Sequence, residues 1–123
     1  MAACHILLIE DEPDLRETLR ELLEMVGFQV ETAANGREGL HKLDTAGHPC
    51  LIMLDLMMPV MNGWQFLETI RQDPRPDRAA IPVVVVSAAI DMVELESRYG
   101  CRSLTKPVDL DVLLDLANEY CQG

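Results

Sequence analysis

An α/β fold built on a doubly wound parallel sheet is predicted by three features of this 123-residue chain. Short apolar runs alternate along its length with amphipathic stretches of helical period. Three runs, Ile6-Leu7-Leu8-Ile9, Leu51-Ile52-Met53-Leu54 and Val83-Val84-Val85-Val86, are apolar at every position. That suits strands buried on both faces rather than strands with one wet side. The connections are short, and strict alternation implies parallel strands joined by right-handed crossovers, with helices on both faces.

Taken in order, the strands are expected at His5–Ile9, Phe28–Thr32, Leu51–Leu54, Pro82–Val86 and, more weakly, Cys101–Leu104. The first helix runs from Pro13 to Val26, with Leu15, Leu19, Leu22, Leu23 and Val26 on one face and Arg16, Glu17, Arg20, Glu21 and Glu24 elsewhere. Pro13 suits a first helical position and Gly27 a stop. Asn35 or Gly36 opens the second helix, which reaches about Ala46. Asn62 caps the third, carrying Phe66, Leu67 and Ile70. A fourth spans about Asp91 to Tyr99. Asp109 caps the last, with Leu110, Leu113, Leu114, Ala117 and Tyr120.

Composition narrows the function. The length fits one domain over residues 1–123, and a real core is possible without disulfide or metal staples. Aromatic residues are 4% of the chain, so that core is aliphatic. Ten basic against 21 acidic residues leave a net charge of −11. A field that negative repels phosphate backbones and anionic lipid, which argues against nucleic-acid partners. No apolar stretch approaches a membrane span, and no basic leader opens the chain. Cys4, Cys50, Cys101 and Cys121 form no CxxC pair. They are expected to be reduced, buried thiols in a cytoplasmic protein.

In a sheet of this kind the site lies beyond the carboxyl ends of the strands. The first strand ends in Glu10-Asp11-Glu12, the third in Asp55, the fourth in Ser87-Ala88 and the fifth in Thr105-Lys106-Pro107. Alone, each has an ordinary structural reading: acids cap helices, Lys-Pro makes turns, and serine satisfies local backbone. Together, in this order on one edge, they read as a site. Crowded carboxylates raise one another's proton affinity unless a cation joins them. Mg²⁺ (or Mn²⁺) suits oxygen donors of this kind. A carboxylate can also act as a nucleophile and form an acyl phosphate, with Mg²⁺, Lys106 and Ser87 neutralising the equatorial oxygens.

With these residues in place, the chain resembles the receiver domain of two-component response regulators over essentially its whole length. The carriers are Glu10-Asp11, the segment Asp55-Leu56-Met57-Met58-Pro59-Val60-Met61-Asn62-Gly63, Ser87-Ala88 and Lys106-Pro107. The resemblance implies a flavodoxin-like strand order 2-1-3-4-5. It implies Asp55 as phosphoacceptor, and Glu10, Asp11, Asp55 and the Met57 backbone carbonyl as metal ligands. Ser87 matches the hydroxyl that moves to the phosphoryl group, Lys106 the ammonium of the site, and Pro107 a cis-peptide position. Pro59 and Gly63 match shapers of the loop. The donor would be a histidine kinase or histidine phosphotransfer protein. Catalysis would be confined to the chain's own phosphorylation and dephosphorylation.

Two departures carry expectations of their own. Ser103 stands where receivers usually carry the aromatic of a conformational switch, three residues before the lysine. Met57 and Ala89 occupy the positions flanking the path of hydrolytic water, and neither can orient water by a hydrogen bond, so slow self-dephosphorylation is expected. No output segment follows the last helix, so the expected output is binding to a downstream protein or onward transfer in a phosphorelay. In the family the first helix commonly docks the phosphodonor, which points to exposed residues near Pro13, Asp14 and Arg16. An aspartyl hydrolase of the haloacid dehalogenase type is disfavoured by Met57, where a second acid is needed. A flavodoxin-type electron carrier is disfavoured by Glu10-Asp11-Glu12, which would repel the flavin phosphate. The remaining alternative is a pseudo-receiver that binds proteins without phosphorylation.

Overall fold

The computed structural model describes residues 5–88 and 94–121. Its elements are β1 (His5–Ile9), α1 (Pro13–Met25), β2 (Gln29–Ala33), α2 (Gly36–Thr45), β3 (Leu51–Leu54), α3 (Gly63–Arg71), α4 (Pro76–Ala79), β4 (Val83–Ser87), α5 (Leu95–Tyr99), β5 (Arg102–Thr105) and α6 (Leu110–Tyr120). The five strands pair in parallel, in the order β2-β1-β3-β4-β5. This is the doubly wound architecture expected from the sequence, with the strand order that the family resemblance implied.

Alternation along the strands divides the core in two. Leu7, Ile9, Ile52, Leu54, Val83 and Val85 face one way, toward Leu43 of α2 and Phe66, Leu67 and Ile70 of α3. Ile6, Leu8, Leu51, Met53, Val84 and Val86 face the other, toward Leu19 and Leu23 of α1 and Leu113, Leu116 and Ala117 of α6. Both faces of the central strands are thus dry, which is why these runs are apolar throughout. Each fully buried leucine or isoleucine contributes about 1.5–3 kcal/mol relative to exposure.

Local chemistry sets the helix ends. The Asn35 side chain accepts from the Glu38 N–H at 2.9 Å. Asn62 and Gln65 form a reciprocal capping box on α3. Asp109 accepts from Asp111 and Val112 at the start of α6. Gly27, at φ +104°, ends α1 in a left-handed cap. The Phe28 N–H reaches the Leu23 carbonyl and the Gly27 N–H the Glu24 carbonyl, each at 3.0 Å, the paired bonds of a Schellman motif.

That cap corrects one expectation. Val26 is 50% exposed, because the chain reverses at Gly27 and Phe28 enters the core instead. Leu110 is likewise exposed, being the first residue of α6, while Leu116 is buried in the seam. α4 was not anticipated: it is one turn opened by Pro76, and it delivers Arg78, only 5% exposed, to Asp44 at 2.8 Å and His48 at 3.3 Å. Of the helix expected from about Asp91, the part within the described residues is α5, wound with wide π-type turns and ended by left-handed Gly100. Residues 91–93 lie outside the described residues.

The cysteine expectation is also corrected. Cys50 and Cys121 are disulfide-bonded, with Cα atoms 5.5 Å apart. Their separation of 71 residues shows no local spacing, and only the stacking of α6 under the sheet brings them together. Cys101 is a free, buried thiol as expected, and Cys4 lies outside the described residues. No helix among the described residues is long and apolar enough to cross a membrane.

Candidate functional site

The strand register builds the site. Ile9 of β1 lies opposite Leu54 of β3, so Glu10 and Asp55 leave the sheet side by side. The Glu10 N–H donates to the Ala33 carbonyl and the Asp55 N–H to the Ile9 carbonyl, each at 3.0 Å. Ser87 and Thr105 are opposite at the ends of β4 and β5, and the Lys106 N–H donates to the Ser87 carbonyl at 3.0 Å. The next peptide, Lys106-Pro107, is cis, as the resemblance implied.

Lys106 closes the cluster. Its Nζ lies 2.9 Å from Glu10 Oε1, 3.2 Å from Asp55 Oδ2 and 3.8 Å from Glu12 Oε1. Glu10 and Asp55 are almost wholly buried, at 2% and 4% exposure. Burial pushes the Glu10 carboxyl up to about 7, against hydrogen bonds from Lys106 and the Glu12 backbone. Burial alone would lower Lys106, but the hydrogen bonds and charges of Glu10 and Asp55 outweigh it and raise the ammonium. Burial wins at the carboxyl and loses at the amine because the lysine side chain, at 15% exposure, keeps more water than the glutamate.

The loop after β3 holds Asp55 from below. Asp55 Oδ1 accepts from the Met57 N–H at 3.1 Å. Gly63 donates to the Leu56 carbonyl at 3.0 Å. A Cβ on Gly63 would sit 2.5 Å from the Asp55 carbonyl oxygen and 2.7 Å from Leu56 Cα, so only glycine lets α3 begin this close. Pro59 accepts from the Met61 N–H at 2.8 Å within the same turn. Val60 adopts φ +68°, an uncommon conformation for a β-branched residue, in the loop beside the acids.

Glu10, Asp11 and Asp55 each offer an oxygen within 4.8 Å of the others. Three hard carboxylate donors at this spacing fit a small divalent cation such as Mg²⁺. The neighbouring Asp55 charge also raises the Glu10 carboxyl, though less than burial does. Ser87 is fully buried, and its hydroxyl has no hydrogen-bond partner among the described residues. A buried orphan hydroxyl is costly and asks for an external acceptor or donor.

The sequence-predicted set is therefore largely brought together: Glu10, Asp11, Asp55, the Met57 backbone and Lys106 converge, with Ser87 at the adjoining strand end. The Met57 side chain is 64% exposed at the rim. Ser103 is half-buried on β5 opposite Val85, back from the strand end where the acids lie. Ala89 lies outside the described residues. Two contacts around Glu10 go beyond the sequence expectation, which has Glu12 only as the end of the acidic run and Arg16 as an exposed docking residue, whereas Arg16 is half-buried. Glu12 donates its N–H to Glu10 Oε2 at 3.2 Å, and Arg16 donates to the Glu10 carbonyl at 2.9 Å. The signal for Arg16 was a cation in the first turn after an acidic strand end, which reads equally well as a solvated helix face.

Comparison with known proteins gives this geometry its relatives. The family model described as the response regulator receiver domain matches residues 6–118. Protein PilH of Pseudomonas aeruginosa is 34% identical over 121 residues, covering 96% of this chain and 98% of PilH. Response regulator Rre1 of Synechocystis sp. is 39% identical over 113 residues, covering 88% of this chain but only 47% of Rre1. The crystal structure of a response regulator receiver protein from Pseudomonas putida superposes with a TM-score of 0.86 at 31% identity, covering 97% of this chain and 98% of that one. On fold, strand-end chemistry and relatives alike, the chain belongs to the response regulator receiver domain family of two-component signalling.

Proposed function

We propose that this receiver accepts a phosphoryl group on Asp55 from a phosphohistidine of a kinase or phosphotransfer protein, in a Mg²⁺-dependent reaction. The observation that carries this is the Asp55 carboxylate itself: buried, tethered at one oxygen by the Met57 N–H and at the other by Lys106, among acids spaced for a cation. An Asp55 carboxylate oxygen attacks phosphorus in line. The P–N bond to histidine breaks, a P–O bond forms, and the freed imidazole takes a proton. Lys106 neutralises charge on the equatorial oxygens, and the unpartnered Ser87 hydroxyl donates to one of them. Glu10, Asp11, Asp55 and the Met57 backbone carbonyl would hold Mg²⁺, which when bound offsets the charge of carboxylates and phosphoryl group. The Met57 side chain, a thioether, offers the attacking water no strong hydrogen-bonding group. Output is through a protein target or onward transfer.

Intact mass after incubation with Mg²⁺ and a small acyl phosphate tests the proposal. One phosphate adduct is expected for the wild type, and none for Asp55→Asn or without metal. An adduct that survives Asp55→Asn overturns the assignment.

A further inference from the structure

Cys50 and Cys121 are bonded at the end of the sheet opposite the acids. Cys50 precedes β3, and its N–H donates to the His5 carbonyl at 2.9 Å. Cys121 is the C-cap of α6, its N–H bonded to the Ala117 carbonyl at 2.8 Å. We propose that this pair is a reversible thiol–disulfide site, opened by a dithiol and closed by a disulfide oxidant, which sets how firmly the C-terminal end of α6 is held to the sheet.

Three observations support reversibility. First, the bond is not the sole anchor of α6 among the described residues. α6 is already anchored by Leu113, Leu116 and Ala117, and Arg102 on β5 pairs with Glu119 at 2.6 Å. A chain of this length can build its core without staples. Second, the bonded pair has a Cα separation of 5.5 Å, ordinary for a disulfide, so the bond sits within the backbone geometry of β3 and α6. Third, Cys50 is only partly buried, whereas Cys121 is 7% exposed, so the Cys50 side of the bond is the more open one to an incoming thiolate. Cys101 differs: it is 1% exposed, and burial pushes its thiol up despite Arg71, which leaves it inert.

The exchange balances as follows. One thiolate of a dithiol attacks Cys50 Sγ, forming a mixed disulfide and expelling Cys121 as a thiolate, which takes a proton. The second thiolate of the reductant attacks its own mixed sulfur, expelling Cys50, which is protonated in turn. Two electrons pass to the cysteine pair, and the dithiol leaves as a disulfide. Closure is the reverse, with a small disulfide as oxidant.

Folded, full-length protein equilibrated in mixtures of reduced and oxidised dithiothreitol tests this. Maleimide labelling with peptide mapping is expected to show Cys50 and Cys121 unlabelled when oxidised and both labelled when reduced, Cys101 staying unlabelled throughout. The reduced form is expected to melt lower by roughly 10 °C, and amides of residues 116–121 to exchange faster while those of β3 do not change. Re-oxidation restores the original state. In Cys121→Ser, or in Cys50→Ala should that variant fold better, the melting temperature no longer responds to the redox mixture. The proposal is overturned if the pair resists reduction until the protein unfolds, or if both thiols stay free in the oxidised mixture.

Discussion

Met57 illustrates what one side chain decides. Its backbone N–H tethers Asp55, so its place in the loop is structural, while its side chain is 64% exposed at the rim of the site. A thioether there cannot orient an attacking water as an amide can. Met57→Asn is therefore expected to shorten the life of the phosphorylated form by roughly tenfold with the fold unchanged. The decay of the phosphorylated mass at fixed pH measures it, and an unchanged lifetime rejects the role. Glu10 makes a second prediction, for the metal-free protein. Its carboxyl is raised to about 7 in the folded state from an ordinary 4.5, chiefly by burial. The folded protein therefore binds the proton more tightly than the unfolded chain. That contribution is fully present below pH 4.5, is lost as pH rises toward 7, and is constant above. Allowing for solvent screening, it is on the order of 2 kcal/mol. Denaturant unfolding from pH 4.5 to 7.5 should show this decline in the wild type and its loss in Glu10→Gln. Both residues are named by the sequence, but their burial and partners are not. Glu10 looks like Asp11 in the chain, and only the paired strand ends make one buried and leave the other half open.

At the scale of elements, periodicity and caps were informative wherever the helix is regular. Asn35, Asn62 and Asp109 cap the helices they were expected to open. Reading failed where backbone chemistry overrode the period. The Schellman turn at Gly27 ejects Val26, α4 is a single turn too short to show a period, and α5 is wound too widely to present the 3.6-residue one. The β5 register carries a prediction. Ser103 lies opposite Val85, so any switch on that face has a small polar side chain to work with. A serine cannot fill a pocket as a ring does. NMR with and without a phosphoryl mimic is expected to shift the amides around Asp55, Ser87 and Lys106, with little change centred on Ser103. Large shifts centred on Ser103 and its neighbours would reject that reading.

For the molecule as a whole, the charge of −11 sets the terms of cation binding. Such a protein attracts cations without selectivity, while the three acids at the strand ends supply a specific address. Mg²⁺ is therefore expected to raise the melting temperature beyond the effect of KCl at equal ionic strength. At tenfold excess over its dissociation constant the added stability is about 1.4 kcal/mol. Thermal melts in Mg²⁺ and KCl measure this. Equal shifts in the two salts, or a Mg²⁺ shift that persists in Asp11→Asn, would reject the metal assignment.

By itself the sequence determined the fold class, the strands and most helix starts, because these depend on local periodicity and on caps written in consecutive residues. It also named the acids, Asp55, Ser87 and Lys106, because a parallel α/β sheet collects strand ends at one edge. Tertiary structure alone decided what each residue experiences. The burial of Glu10, the orphan hydroxyl of Ser87, the Arg78 contacts with Asp44 and His48, and the Cys50–Cys121 bond all join segments far apart in the chain. Burial and bonding energies depend on distance in space, and no local pattern in the chain encodes that distance.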